Sequence, residues 1–246
     1  MLKQWYLPAL ALSKSGHRSG QTAHSQPAFA SSLFCAQHTT VQLYLQVVPG
    51  LAKRSERGKM KKTKRGNTMN ITVYLGANEG SDPALAAAVR ELGSWIGANG
   101  HHLVYGGSRS GLMGLLAQSA LDAGGTVTGV EPQFFIQQEL QHDGLTELIV
   151  TRDMAERKTK MIELGDAFIA FPGGTGTLEE IAEVMSRVSL GQLDAPCILY
   201  DLNGYYDSLK ALLDKMIEKG LSTPQRQRGI RFAANLEEIT TILNKA

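Results

Sequence analysis

The sequence contains only two cysteines, Cys35 and Cys197, among 246 residues. Two thiols cannot build the disulfide framework of a small secreted domain, so that class of protein is excluded. Long apolar runs are missing too, because no stretch approaches the roughly 20 residues of a membrane-spanning helix. With 43% hydrophobic and 20% charged residues, the composition is that of an ordinary globular protein. We therefore expect a cytoplasmic protein with no membrane partner.

Several signatures of cofactor and metal sites are also missing. After the first apolar run, Gly76 and Gly80 form G-x-x-x-G, whereas dinucleotide-binding enzymes carry G-x-G-x-x-G. The sequence has no G-x-x-x-x-G-K-[ST] motif, and its His and Cys residues lack the spacing of metal ligands. The sequence therefore lacks the motifs typical of hydride-transfer enzymes and of ATP-hydrolysing enzymes, and we expect neither a cofactor nor a metal.

Acidic residues are nearly absent from the first 68 positions, which hold eleven Lys and Arg residues and a single acid, Glu56. The remaining positions hold 14 basic and 22 acidic residues. This asymmetry indicates a basic extension over residues 1–68 followed by one acidic domain over residues 69–246. An acidic domain is not expected to bind nucleic acid through bulk electrostatics.

The extension over residues 1–68 shows no sustained apolar periodicity, so we expect it to be disordered. Three interpretations of it are open. It could be a targeting leader around the WYLPALAL segment, or a basic arm that touches RNA or anionic lipid. It could also be a dispensable extension upstream of a natural start at Met69. The last is favoured because MNITVYLGANEG reads as the opening of an α/β domain.

From Ile71 onward, short apolar runs alternate with helical patterns. Strands are predicted at 71–75, 102–106, 126–130, 147–151, 167–171 and 197–200, and helices at 83–98, 112–123, 155–164, 178–190, 205–219 and 236–244. Uniformly apolar strands separated by helices predict an α/β fold, a Rossmann-like doubly wound mainly parallel sheet with helices on both faces. Ligands bind such sheets at the carboxyl ends of the strands, where the connecting loops should converge.

Three of these loops are rich in glycine: GANEG at 76–80, GGSRSGLMG at 106–114 and PGGTGT at 172–177. Each loop leads into a helix, whose free N–H groups and dipole attract an anion. Three such loops at one sheet edge predict a ligand that carries phosphate. Thr177 is expected to cap the helix after the third loop, which would put Glu179 and Glu180 in its first turn.

A basic pair lies close to the same edge in the segment DMAERKTKM. Arg157 and Lys158 fall early in the predicted helix 155–164, just after the fourth strand. Arg157 can hold a phosphate with two parallel N–H groups, and Lys158 can add a point charge.

The PGGTGTLEE segment, with Arg157 sixteen residues before its first glycine, resembles the LOG family. This family consists of cytokinin riboside 5′-monophosphate phosphoribohydrolases, formerly labelled lysine decarboxylases. Its PGGxGTxxE motif is matched in full from Pro172 to Glu180, and its M-x-x-R-K element from Met154 to Lys158. YGGSRSGLMG resembles the family's glycine loop, and the resemblance covers about Ile71 to Leu221.

The resemblance implies an N-glycosyl hydrolase with a role in cytokinin biosynthesis. Such an enzyme cleaves a purine nucleoside 5′-monophosphate into free base and ribose 5-phosphate, and it commonly forms a homodimer. Arg157 and Glu180 are the implied catalytic residues. The implied substrate-binding residues are Gly76, Asn78, Gly107, Glu139, Met154, Arg157, Lys158, Gly173, Gly174, Thr175, Gly176, Thr177 and Glu179.

Two positions depart from the family pattern and leave the base open between adenine and N6-prenylated adenine. Glu131 stands in GVEP where the family has GVIP, and Arg187 stands where an aromatic residue is often found. A non-catalytic nucleotide-binding or carrier module on the same fold is the alternative function. Decarboxylation would need a lysine placed for a pyridoxal Schiff base, and the sequence shows no such arrangement.

Two helices are candidates for the dimer interface, 112–123 and 181–190. The first carries more apolar side chains than one face of a sheet is expected to bury, and surplus apolar surface usually marks a partner site.

Overall fold

The computed structural model describes residues 68–136 and 140–245. Within them, seven strands form one sheet in the order β4-β3-β2-β1-β5-β6-β7, and every neighbouring pair is parallel. The strands are β1 (Asn70–Tyr74), β2 (His102–Tyr105), β3 (Thr126–Pro132), β4 (Glu147–Thr151), β5 (Ala167–Ala170), β6 (Cys197–Tyr200) and β7 (Ile230–Ala233).

Helices cover both faces of the sheet. They are α1 (Pro83–Ala98), α2 (Gly111–Asp122), the short α3 (Gln133–Ile136), α4 (Met154–Leu164), α5 (Thr175–Ser189), α6 (Asp207–Glu218) and α7 (Leu236–Leu243), with a 3-10 turn at Leu202–Gly204. One apolar core lies between the sheet and α1, α2 and α7, and a second lies between the sheet and α4, α5 and α6. The predicted doubly wound α/β fold is therefore confirmed.

Sequence periodicity missed β7 and α3. In β7 the sequence is IRFA, and exposed Arg231 interrupts the apolar run by which the other strands were recognised. The short α3 has no buried residue that would produce a helical pattern. The basic extension, for which disorder was predicted, lies outside the described residues up to position 67.

The strand order creates a crevice at the centre of the sheet. From β1 the chain moves outward through β2, β3 and β4, and then returns to pair β5 with the other side of β1. The loops after β1 and β5 therefore leave in opposite directions at the carboxyl edge. Doubly wound sheets bind their ligands in the crevice between two such strands.

Helix α2 was expected to offer a dimer interface, but its apolar side chains are used inside the protomer. Leu112 and Leu116 are fully buried, and Leu115 and Leu121 pack against the same core. Gly93 and Gly97 of α1 let the two helices approach closely, because a Cβ atom at either glycine would collide with the α2 backbone. The expected surplus of apolar surface on α2 is therefore absent, because α1 covers the surface that a sheet face alone would leave open.

None of the helices in the two described segments combines the length and the apolar character needed to cross a bilayer.

Candidate active site

The glycine-rich loops meet above the carboxyl ends of β1, β2 and β5, as predicted. A Cβ atom on Gly173 would lie 3.2 Å from the backbone nitrogen of Gly76, so the first and third loops touch. Gly111, with φ +51°, lies so close to the carbonyl of Ala77 that no side chain fits there. The second loop is thereby packed against the first. The three loops form the floor of one cleft.

Helix α4 carries Arg157 into this cleft. Asp153 caps the helix, because its carboxylate accepts a hydrogen bond of 2.8 Å from the backbone N–H of Glu156. Arg157 then lies in the first turn, as expected. Its Nε donates to the carbonyl of Val130 at the end of β3 at 2.9 Å, and its Nη1 donates to Oε1 of Glu180 at 2.5 Å.

Arg157 and Glu180 form a buried ion pair whose side chains are 9% and 8% exposed. Burial raises the pKa of Glu180, and the Arg157 guanidinium opposes that rise. A carboxylate in a desolvated site with one cationic partner is suited to stabilise positive charge or to accept a proton. The pair brings together two residues that lie 23 positions apart in the chain.

A second, more exposed network surrounds Lys158. Its Nζ donates to Oε1 of Glu179 at 2.6 Å and lies 3.6 Å from Oε2 of Glu183. Glu183 also accepts a hydrogen bond of 2.6 Å from Arg187. The hydrogen bond with Glu179 raises the pKa of Lys158, so its ammonium group stays charged. Arg187, which replaces an aromatic residue of the family pattern, is thus tied into the site's charge network.

Helix α5 begins two residues earlier than the expected cap, and this corrects the prediction for Thr177. Gly174 is the N-cap, and Thr177 is the buried third residue of the helix. Glu179 and Glu180 consequently lie in the second turn. Gly174, Thr175 and Gly176 are exposed, and the first N–H groups of a helix have no partner within it. Free N–H groups at the start of a helix are suited to bind an anion.

Two tyrosines that the sequence did not single out hold the third glycine loop. The Tyr205 hydroxyl donates to the carbonyl of Gly173, and the Tyr206 hydroxyl donates to the carbonyl of Phe171 at 2.9 Å. Tyr205 is about half exposed, and Tyr206 is buried. The only sequence signal is an aromatic pair just after Gly204, which is also typical of ordinary core packing.

Residues 113–243 match the model of the family described as possible lysine decarboxylases. A cytokinin riboside 5′-monophosphate phosphoribohydrolase of Rhodococcoides fascians is 42% identical over 174 residues, which are 70% of this chain and 88% of that protein. An Arabidopsis thaliana protein of the same name is 37% identical over 175 residues, which are 71% of this chain and 81% of that protein.

The chain belongs to the LOG family. Solved structures with this fold include the molybdenum cofactor binding protein of Rippkaea orientalis, at 23% identity and a TM-score of 0.54. The molybdenum cofactor carrier protein of Chlamydomonas reinhardtii aligns at 21% identity with a TM-score of 0.56. Each covers 73% of this chain and 98% of its own length. At this identity, the likeness shows a shared fold.

Most of the LOG-family residues expected at the substrate site surround the cleft. Gly76 belongs to the first loop. Gly107 belongs to the second loop and packs against the Glu131 side chain. Met154 opens α4 one turn before Arg157. Asn78 is exposed in the first loop. Glu139 lies outside the described residues.

The decarboxylase description of the LOG family does not fit the lysine at this site. A Schiff base with a pyridoxal aldehyde forms from a neutral amine, whereas Lys158 is paired with Glu179 and has a raised pKa. Among residues 68–136 and 140–245, no three His, Cys, Asp or Glu side chains are grouped closely enough to share a metal ion.

Proposed function

We propose that this chain hydrolyses the N-glycosidic bond of a purine nucleoside 5′-monophosphate and releases the free base and ribose 5-phosphate. The observation that most directly supports this proposal is the buried Arg157–Glu180 pair beside the exposed start of α5. The names of the relatives from Rhodococcoides and Arabidopsis support the same reaction.

In this proposal the start of α5 holds the 5′-phosphate. Thr175 and Gly176 are the exposed first residues of α5, whose backbone N–H groups have no partner within the helix, and the helix dipole adds favourable potential for an anion. Lys158 and Arg157 contribute positive charge from α4. With the phosphate fixed at this point, the ribose extends across the crevice toward Glu180.

Glu180 acts on the ribose in this proposal. As the C1′–N bond breaks, its electron pair leaves with the base, and C1′ gains oxocarbenium character. The Glu180 carboxylate stabilises that charge and takes a proton from the attacking water, whose oxygen bonds to C1′. The proton then neutralises the departing base. Arg157 keeps Glu180 oriented, since its Nη1 holds Oε1.

The choice of base belongs to the proposal as well. Adenine and N6-prenylated adenine are both candidates, and a cytokinin precursor is favoured by the relatives' names. We expect the reaction to take place in the cytoplasm and without involvement of nucleic acid.

A homodimer is also part of the proposal. Helix α5 remains the candidate interface after the correction for α2. Leu178 is 46% exposed, and Ala182 and Met185 follow it at helical spacing as exposed and half-buried residues. This stripe begins next to Glu179, so a partner docked there would lie beside the site.

The test is an assay of free base after incubation with a panel of nucleoside monophosphates. Adenosine monophosphate and its N6-prenylated derivative should yield adenine and the free cytokinin, respectively, with ribose 5-phosphate in equal amount. Adenosine should not be cleaved, because it lacks the phosphate that the loop holds. Binding of these nucleotides without release of base would favour the alternative, a non-catalytic carrier module.

A further inference from the structure

Glu131 is a buried acid that takes no part in the proposed reaction. It is 1% exposed and is the next-to-last residue of β3, beside Val130, whose carbonyl accepts the Nε hydrogen of Arg157. Its Oε2 atom makes no hydrogen bond within the part of the chain that the structure describes. A carboxylate buried in this way is unfavourable unless it is neutralised. The sequence flagged this position only because the family pattern has isoleucine there.

Two consecutive glycines place Glu131 next to Arg157. A Cβ atom on Gly106 would collide with Nη2 of Arg157, and a Cβ atom on Gly107 would lie 3.3 Å from Oε2 of Glu131. The guanidinium and the carboxyl therefore lie along the same two-residue stretch of the second loop. Glu131 and Glu180 are two carboxyl groups that share one arginine.

Charge balance distinguishes these two carboxyls. Glu131, Arg157 and Glu180 are 1%, 7% and 7% exposed, so one cation faces two carboxyls away from water. Glu180 holds the direct hydrogen bond to Arg157, whereas Glu131 has no bond to it. A net charge is costly in such a place, and the group that is not paired neutralises by taking up a proton. That group is Glu131.

The other groups that face Glu131 do not supply a second positive charge. Tyr105 of β2 is neutral beside it: burial and the nearby Glu131 raise the pKa of Tyr105, and its hydroxyl donates to the carbonyl of Ser108. On β4, apolar Val150 lies opposite it in register, and α3 contains no charged residue. Burial raises the pKa of Glu131, and Arg157 counters this only in part.

We propose that Glu131 is a positioning residue that stays uncharged behind Arg157 and so reserves the guanidinium for Glu180 and the substrate's phosphate. The inference rests on the proposed function, because it concerns the same arginine and the same anionic substrate. When Glu131 loses its proton at higher pH, its negative charge repels the phosphate and competes for Arg157. Affinity for the nucleotide then falls, while the chemistry at Glu180 is less affected.

The test is the pH dependence of adenosine monophosphate binding to the full chain, measured by calorimetry between about pH 5 and 9 for the wild type and for Glu131→Gln. The phosphate's own second ionisation, with a pKa of about 6, affects both proteins alike, so the ratio of the two Kd values reports on Glu131. Glu131→Gln keeps the shape and remains neutral. We expect the wild-type Kd to rise about tenfold relative to that of Glu131→Gln between the ends of the range, as for one added charge near the ligand.

Two further variants serve as controls. Glu131→Ile also lacks the charge and should give the same profile as Glu131→Gln, so the proposal remains testable if the glutamine variant folds poorly. Glu163→Gln removes an exposed acid from α4 and should keep the wild-type profile. In steady-state assays the variants at Glu131 should change the pH dependence of KM and leave that of kcat nearly unaltered.

Parallel wild-type and Glu131→Gln profiles would overturn the inference, as would an absence of nucleotide binding. If base is released but the profiles are parallel, the proposed function stands and Glu131 only fills space. If the profiles differ but no base is released, Glu131 positions Arg157 in a protein that binds nucleotides without cleaving them.

Discussion

The guanidinium of Arg157 is held on one side by the Val130 carbonyl and on another by the Glu180 carboxylate. Both contacts are buried, so the group is fixed before any ligand arrives. Preorganised charge of this kind contributes to catalysis because it does not have to reorient as the reaction proceeds. The individual contributions of Arg157 and Glu180 can be separated by substitution.

Replacing Glu180 by glutamine should abolish most turnover without abolishing binding. The amide keeps the shape and can still accept a hydrogen bond from Arg157, but it can neither neutralise an oxocarbenium ion nor take a proton. We expect kcat to fall by about 10²–10³, the usual loss for a preorganised electrostatic group. Steady-state release of base checks this. Glu163→Gln on α4 is the matched control, and an unchanged kcat in Glu180→Gln would remove Glu180 from the mechanism.

Replacing Arg157 should weaken nucleotide binding far more than nucleoside binding. Arg157→Ala alone leaves Glu180 buried without its cation, which typically costs about 3–5 kcal/mol of stability. The double variant Arg157→Gln/Glu180→Gln avoids that charge and is the better protein for binding measurements. Relative to Glu180→Gln, we expect its affinity for adenosine monophosphate to fall about 10–100-fold, and that for adenosine to change little. Equal losses for both ligands would mean that Arg157 does not contact the phosphate.

At the scale of elements, the cap of α4 decides where the site's cations lie. Asp153 accepts from the Glu156 N–H, and Glu156 in turn accepts from the Arg152 N–H at 2.8 Å. These bonds fix the first turn of the helix, which contains Arg157. A matching cap lies far from the site on α7, where Asn235 accepts from the Glu238 N–H at 3.0 Å.

The two caps allow a paired prediction. Asp153→Ala and Asn235→Ala should each cost about 1 kcal/mol of stability, the usual loss for such a cap. Only Asp153→Ala should raise KM, by about three- to tenfold, because it loosens the turn that positions Arg157. Thermal melts and initial rates measure the two effects. A similar rise of KM in Asn235→Ala would show that KM merely follows stability.

At the scale of the whole molecule, charge is distributed unevenly along the chain, with eleven basic residues and one acid in residues 1–68 and an excess of acids after them. Residues from Asn70 onward supply every strand of the described sheet and both apolar cores. Met69 packs against one of these cores, and its N–H donates to Nδ1 of His101 at 3.2 Å. A chain that begins at Met69 therefore retains the contacts on which the sheet depends.

We accordingly predict that a protein starting at Met69 folds, forms the proposed dimer and keeps full activity. The physical reason is that the strands, helices and apolar cores of the described structure are built from residues that start at Met69. Light scattering measures the oligomeric state, and release of base measures activity. A monomeric or inactive shortened protein would assign residues 1–68 a structural role that their composition does not suggest.

The sequence by itself determined the class of fold and the family. Apolar runs marked six of the seven strands, since strands covered on both faces have apolar side chains on both sides. The bounds of α1 and β4 were predicted to the residue. For α1 the start is marked by two strong local signals, the capping residue Asp82 and Pro83. The glycine loops and the PGGTGTLEE segment also pointed to the carboxyl edge. All of these signals depend on neighbouring residues or on a fixed period.

Only the tertiary structure decided which side chains are buried together. The pairing of Arg157 with Glu180, the burial of Glu131 behind them and the support of the third loop by Tyr205 join residues from different elements. The structure likewise decided that α1 packs on α2, so the apolar side chains of α2 are buried within the protomer. Such outcomes depend on desolvation and on distances across the sheet. A linear pattern does not encode desolvation or distances between elements. The same acid is ionised at little free-energy cost in water, whereas ionisation is unfavourable when the acid is buried and shares one cation with a second carboxyl.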